Sequence, residues 1–432
     1  MNFARPKIVL ICMDLHREFS MLELLKKELE ASLKVDVWII GSLADIQKTY
    51  YLLNQIKPDM VFISQIIENV TRDIASYVRK SGAILCVLPV ELYYLKNELR
   101  SLFDKQSYDR FVDYVFLPGL KMYRAIVKYS DINKNKIFIT GSPKIDLFVN
   151  KQAEKVLSRK EFCQKFSINR ERRNIFIFTS FILTPLSYAK NEEAFRGQLN
   201  FILKRNQGTY KTRDIFIRDI KRLCNDFPEC NIILKLHPLE NNSVYRKISA
   251  KNLHVVDNST FNDTLNSIDL AVYWRSTVAT ECWLNGIKTL QYVPVNDHES
   301  LQSDFTKENP VYYHYLDLKK GVSKYLINNL EKKYLSFQKE YLKLNYYKTD
   351  GLSVKRIAAK IKKILHSINN NSLNYRFANN KMFYLFIIAE MIFGVRLSRR
   401  TVAIFNKGYC WSYTANNYVF DPPSSHRKRK SL

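Results

Sequence analysis

Asn231-Ile-Ile-Leu-Lys-Leu-His237-Pro238-Leu-Glu240 is an apolar run of strand length that stops on a His-Pro pair. Proline forces extended geometry on the residue before it and cannot extend a sheet ladder, so the pair predicts the His237 imidazole at the mouth of a strand. Open parallel sheets place their ligands there, beyond the carboxyl ends of the strands. A second strand, Asp269-Leu-Ala-Val-Tyr273, is followed by Trp274-Arg275-Ser276-Thr277-Val-Ala-Thr-Glu281, which reads as a turn running into the first turn of a helix. Hydroxyls and backbone N–H groups at a helix N-terminus form an anion site. Read singly, the two motifs are a strand-ending turn and an N-cap; read together, they predict one phosphorylated ligand shared by His237 and the Ser276-Thr277 pair.

The alternation of strand and helix continues on both sides of this stretch. Before it, residues 8–12, 35–40, 60–64, 83–88, 114–117 and 137–140 are short, β-branched, nearly continuous apolar runs, as in a parallel sheet buried on both faces. Between the first two, Leu22, Leu25 and Leu29 recur at helical spacing opposite Glu23, Lys26, Lys27 and Glu30. A second series follows, with strands at 175–179, 231–236, 253–256, 270–273 and 289–293 and helices at 214–225, near 261–267 and at 276–284. The repetition predicts an α/β fold with two tandem Rossmann-like domains. The expected boundaries are an N-terminal Rossmann-like domain at 1–150, a linker at 151–172, a C-terminal Rossmann-like domain at 173–345, a basic helix at 346–370 and an apolar, basic tail at 371–432. Tandem domains of this kind resemble the GT-B glycosyltransferases, in which the ligand lies between the domains.

Composition narrows the function classes. The seven cysteines are scattered, odd in number and without a C-x-x-C pair, which argues for reduced thiols and against a disulfide framework or a zinc site. No apolar stretch reaches the roughly 18–20 residues of a spanning helix, and the first apolar run ends at Asp14, so no secretory signal is expected. With 68 Lys+Arg against 41 Asp+Glu the net charge is +27, which predicts anionic partners. Nucleic acid is disfavoured as that partner, because no usual binding module is visible and the aromatics lie in core-like runs. The stripe Val354, Ile357, Ala358, Ile361, Ile364 and Leu365, with Lys355, Arg356, Lys360, Lys362 and Lys363 mostly on the other faces, predicts a helix packed back on the domains. In the tail, Met382-Phe-Tyr-Leu-Phe-Ile-Ile-Ala precedes Arg396, Arg399, Arg400 and Arg427-Lys-Arg-Lys430. That combination fits either an anionic inner-membrane surface or a segment packed on the core with frayed last residues. A cytoplasmic protein is expected.

Four motifs carry a family resemblance. They are Thr140-Gly141-Ser142-Pro143-Lys144-Ile145-Asp146, Leu236-His237-Pro238-Leu239-Glu240, Ser276-Thr277-Val278-Ala279-Thr280-Glu281 with Gly286, and Asp350-Gly351 before Arg356-Ile357-Ala358. Over residues 7–366 the chain resembles the bacterial surface carbohydrate biosynthesis family. That family is similar to GT-B sialyl-, polysialyl- and Kdo-transferases, which use CMP-activated acidic sugars. The resemblance implies donor contacts from His237, Ser276, Thr277 and Glu281, with His237 protonating the leaving phosphate and Glu281 on the ribose; beside them Pro238 shapes the donor side at His237, and Arg275, flanking the second motif, adds positive charge to the phosphate site. It also implies a general base after an N-terminal-domain strand, where relatives carry two acids and a glycine. Leu88-Pro89-Val90-Glu91-Leu92 keeps one carboxylate there, so Glu91 is the expected base. Asp14-Leu-His16-Arg17-Glu18, after the first strand, reads as a capped helix start with a charged first turn, or as part of the acceptor side.

No D-x-D motif, Walker loop or G-x-G-x-x-G is present, so metal-independent transfer without a cofactor is expected. The partners implied are a nucleotide-sugar, with a CMP-sugar favoured, and a glycan acceptor, either free or lipid-linked. The alternatives on the same fold are a polyol-phosphate transferase, a sugar-nucleotide epimerase and a catalytically degenerate GT-B binding protein.

Overall fold

Buried β-branched runs alternating with amphipathic helices build two parallel sheets in the computed structural model. It describes residues 5–41, 46–66, 69–90, 99–100, 102–103, 105–149, 156–182, 199–237, 240, 242–256, 259–295, 305 and 307–369. Two compact units result, one running to Lys144 and resuming at Leu352, the other spanning Ile145–Gly351. Each is an α/β unit built on a six-stranded parallel sheet.

In the first unit, β1 (Lys7–Cys12), β2 (Asp36–Gly41), β3 (Met60–Ile63), β4 (Ile84–Val87), β5 (Tyr114–Leu117) and β6 (Ile137–Ile139) form a six-stranded sheet in the order β2-β1-β3-β4-β5-β6. Every pairing is parallel. Parallel neighbours need crossovers, supplied by α1 (Leu15–Ser32), α2 (Ile46–Ile56), α3 (Asn69–Ser81), α4 (Lys105–Phe111) and α5 (Leu120–Tyr129). Val9, Ile11, Val61, Leu85 and Val115 point into one core, while Ile8, Leu10, Phe62 and Phe116 are as fully buried on the opposite face. Helices on both faces explain why these strands read as continuous apolar runs. Leu22, Leu25 and Leu29 are the buried stripe of α1, as their spacing predicts.

The second unit opens with α6 (Pro143–Val149) and α7 (Arg159–Lys165). Its strands are β7 (Asn174–Phe178), β8 (Asn231–Lys235), β9 (Leu253–Val256), β10 (Leu270–Tyr273), β11 (Thr289–Tyr292) and β12 (Val311–Tyr312), again all parallel. Their order is β12-β11-β10-β7-β8-β9. The connecting helices are α8 (Leu199–Asp226), α9 (Phe261–Thr264) and α10 (Val278–Leu284), and α11 (Tyr315–Ile327) and α12 (Lys332–Tyr346) follow the last strand. Ser158 caps α7 in a capping box with Glu161, and Arg159 donates to Asp269 at 3.0 Å, which ties that helix to the start of β10.

Sequence and structure part at three places. Helix α8 begins at Leu199, earlier than the expected 214, and the two-residue strand β12 was too short to show a period. The units also differ from the expected spans: the first ends at Lys144 and includes the last described helix, α13 (Ser353–Asn369), which packs back as its apolar stripe predicts. The physical reason is local. Val354, Ile357, Ala358, Ile361, Ile364 and Leu365 are buried, α13 packs beside α1, and the Arg356 Nε donates to the Thr140 carbonyl at 2.7 Å. Gly141 makes this approach feasible: its φ is +84°, and a Cβ there would lie 2.5 Å from the Ser353 Oγ. No described helix is long and apolar enough to cross a membrane. The expected tail at 371–432 lies outside the described residues.

Candidate functional site

The strand order of the second unit reverses between β7 and β10, and doubly wound sheets bind ligands beyond the carboxyl ends at such a reversal. Tyr273 pairs with Phe178, and Phe178 with Lys235, so β10, β7 and β8 end on one level. Thr179 and Ser180 therefore leave the sheet in the middle, Leu236 and His237 on one side, Trp274 and Arg275 on the other. His237 and Ser276 share an edge as the sequence predicts, but β7 stands between their strands. Two strand spacings, roughly 10 Å, separate β8 from β10. A phosphate reached from both sides would sit over Thr179 and Ser180.

Those two hydroxyls brace the edge, and sequence reading passed over them. The Ser180 Oγ donates to the carbonyls of Trp274 at 2.8 Å and Arg275 at 3.0 Å. On the other side the Thr179 Oγ1 donates to the Glu240 carboxylate at 2.6 Å. Glu240 also accepts from the Tyr245 phenol and from the backbone N–H groups of Phe181 and His237. Burial raises the Glu240 carboxyl above its ordinary value, and these four donors pull against that rise. The Phe181 ring stacks on Trp274 at 4.6 Å between centroids. The exits of β7, β8 and β10 thus form one braced layer. The available signal was Ile-Phe-Ile-Phe-Thr179-Ser180, a buried strand ending in two small hydroxyls.

The predicted donor-binding residues fall on this layer with one revision. Arg275 is half-buried with φ of 40°, a left-handed conformation that a non-glycine residue adopts at a cost of about 1 kcal/mol, held here through its carbonyl by Ser180. Helix α10 starts at Val278 rather than at Ser276. Ser276 accepts the Val278 N–H at 3.3 Å, whereas Thr277 occupies the cap position in helical geometry and makes no side-chain cap bond. Serine, not the Ser-Thr pair, performs the capping. Glu281 is half-buried in the first turn of α10. Lys235 is buried, with its Nζ donating to the Leu236 carbonyl at 3.4 Å. Pro238 and Glu91 lie outside the described residues, so the structure places His237, Arg275, Ser276, Thr277 and Glu281 alone among the predicted set.

In the first unit the order reverses between β1 and β3, and the exits of those strands carry a second buried carboxylate. Glu18 is 6% exposed and accepts the Met13 N–H at 2.7 Å and the Ser64 hydroxyl. Burial pushes its carboxyl up to about 7, with the Asp14 charge adding to the rise and the Met13 and Ser64 bonds opposing it. Burial likewise pushes the Cys12 thiol up to about 12, with Glu18 and Asp14 contributing, so Cys12 is an inert thiol at neutral pH. The charged first turn read from Asp14-Leu-His16-Arg17-Glu18 therefore turns one of its acids inward.

No protein-family model matches the chain, and no curated protein sequence matches it. Solved structures do. The chain is similar to the UDP-GlcNAc 2-epimerase of Neisseria meningitidis bound to UDP-GlcNAc, with a TM-score of 0.54 and 12% identity over 83% of this chain and 100% of that one. It is similar to the UDP-N-acetylglucosamine 2-epimerase of Rickettsia bellii, with a TM-score of 0.54 and 13% identity over 85% and 99% of the two chains. It also resembles the wall teichoic acid polymerase TagF, with a TM-score of 0.52 and 11% identity over 84% of this chain and 89% of that one. At such identities the likeness establishes a shared GT-B-like fold.

Proposed function

We propose that this chain is a glycosyltransferase that moves a sugar from a nucleotide-activated donor to a surface glycan, with the donor held by the second unit. The observation that supports this most is the braced layer at the exits of β7, β8 and β10, which collects His237, Arg275, Ser276 and Thr277 at the reversal of the sheet. In this reading the chemistry at the leaving group is electrostatic. A nucleotide phosphate gains negative charge as the glycosyl bond breaks, and preorganised donors that need no rearrangement lower the barrier most. Arg275 and the hydroxyls of Ser276 and Thr277 neutralise that charge in place of a metal ion, and His237 protonates the departing phosphate as general acid. Glu281 holds the ribose and Pro238 keeps His237 extended. Glu91 takes the proton of the acceptor hydroxyl. The donor is a CMP-linked acidic sugar, and the acceptor is a capsule, lipopolysaccharide or lipid-linked glycan.

A second reading, polyol-phosphate transfer or sugar-nucleotide epimerisation on the same fold, draws support from the structures the chain resembles. Thermal unfolding with CMP, CDP, UMP, UDP and GDP, repeated on His237→Ala, separates the readings, because a ligand bound only by the folded state raises the melting point. Stabilisation by CMP that the variant loses is the expected result. A selective shift with CDP or UDP would move the assignment to the second reading, and no shift with any nucleotide would overturn both.

A further inference from the structure

Helix α13 buries its apolar stripe in the first unit and turns a cationic one to solvent. Its sequence, Ser353 to Asn369, contains no aspartate or glutamate. Lys355, Lys362, Lys363 and His366 are exposed, as are Leu352 and Ala359 between and before them. At 3.6 residues per turn, positions 355, 359, 362 and 366 fall within an arc of about 60°, with 352 and 363 beside it, and the line runs roughly 16 Å along the axis. The helix's other cations are engaged: Arg356 donates to the Thr140 carbonyl, and the Lys360 ammonium lies 5.0 Å from the Phe138 ring centroid. On the neighbouring α1, Glu23 pairs with Lys27 at 3.6 Å and Glu30 pairs with Lys26. Among the described residues, Lys355, Lys362 and Lys363 have no acidic partner.

We infer that this stripe is a docking surface for anionic phospholipid headgroups. Three features favour a bilayer over nucleic acid. The free cations are lysines on a convex helix rather than arginines in a groove, no aromatic residue of the helix stands among them to stack on a base, and Leu352 and Ala359 offer apolar contact in the same line. Lysine stems bury their methylenes against an interface while the ammonium stays with the headgroups. The helix also ends at Asn369, shortly before the apolar and arginine-rich sequence 382–400, so a second anchoring signal follows the first in the same chain. This surface belongs to the first unit and is independent of which donor the second unit takes.

The test is co-sedimentation of the full-length protein with vesicles of phosphatidylcholine alone or with about a third phosphatidylglycerol, at roughly 0.1 M and 0.5 M salt. Binding is expected only to the anionic vesicles and to weaken at the higher salt. Replacing Lys355, Lys362 and Lys363 together by Gln should cut the partition coefficient about fivefold per residue, or on the order of a hundredfold in all. Replacing the equally exposed Lys320, Lys332 and Lys339 of the second unit by Gln removes the same charge and should change it less than about fivefold. Equal losses in the two triple variants, unchanged binding in the first, or binding to single-stranded RNA with none to anionic vesicles would each overturn the assignment. Melting points measured on both variants separate lost binding from lost folding.

Discussion

Glu18 should make the first unit's stability respond to pH in a direction opposite to the usual carboxylate, and Glu18→Gln should remove that response. A surface acid gains partners on folding and loses stability as it is protonated. Glu18 is buried, and its folded-state value is raised from 4.5 to about 7. Its contribution is therefore fully present below about pH 4.5, declines as pH rises, and is gone above about pH 7. A rise of that size corresponds to roughly 3 kcal/mol. Screening discounts it little, because the side chain is almost wholly removed from solvent. Glutamine keeps an acceptor for the Met13 N–H but cannot ionise, so the variant should gain on the wild type by about 3 kcal/mol between roughly pH 5 and pH 8. For a unit of this size that is a growing difference of about 6–12 °C in melting point. Because two units need not unfold together, amide exchange of the β1 strand, compared between variant and wild type in the same buffer, reads the first unit directly. A difference that stays flat across this pH range would refute the argument that burial, and not the hydrogen bonds, dominates at Glu18.

Three other substitutions probe the frame of the site. Glu240→Ala removes the acceptor shared by Thr179, Tyr245 and the N–H groups of Phe181 and His237; a loss of about 2–4 kcal/mol in urea unfolding is expected, with weaker nucleotide stabilisation. Gly141→Ala forces a positive φ on alanine and drives its Cβ toward Ser353, so it should cost about 2–3 kcal/mol and expose α13 to early proteolysis. Trp283→Phe deletes a buried indole N–H that donates to Thr289 at 2.8 Å and to Asn309 at 3.3 Å, and thermal unfolding should report a loss of about 2–3 kcal/mol.

The strands and both sheets were legible because short, β-branched apolar runs such as Ile8-Val-Leu-Ile and Asn231-Ile-Ile-Leu alternate with amphipathic helical stretches, the pattern of a parallel sheet buried on both faces. The placement of His237 and Arg275 was legible for the same reason, since a strand's end is visible where its apolar run stops. The braces were not. Thr179, Ser180 and Glu240 act through neighbours that come from β8 and β10, and the order β10-β7-β8 that makes them neighbours is a tertiary fact. The inward turn of Glu18 escaped for the same cause: Ser64, which donates to it, belongs to β3's exit and lies far along the chain. The return of α13 to the first unit was hidden because its amphipathic period shows that a face is buried without saying against what.

The two units solve one mechanical problem with the same chemistry. A parallel sheet ends in a row of unpaired strand exits, and any ligand site built there needs those exits held in register without covering them. In the first unit Glu18 joins the exit of β1 to that of β3 through the Met13 N–H and the Ser64 hydroxyl. In the second, Glu240 joins the exit of β7 to that of β8 through the Thr179 hydroxyl and the His237 N–H. Burial raises both carboxyls, so each brace costs stability when ionised. A carboxylate is nevertheless suited to the task, because its two oxygens accept several donors at once from separate loops, which no apolar side chain can do. The cost falls on the carboxylate, while the gain goes to the residues beside it: His237 and Arg275 are left at a sheet edge whose backbone is fixed from the middle.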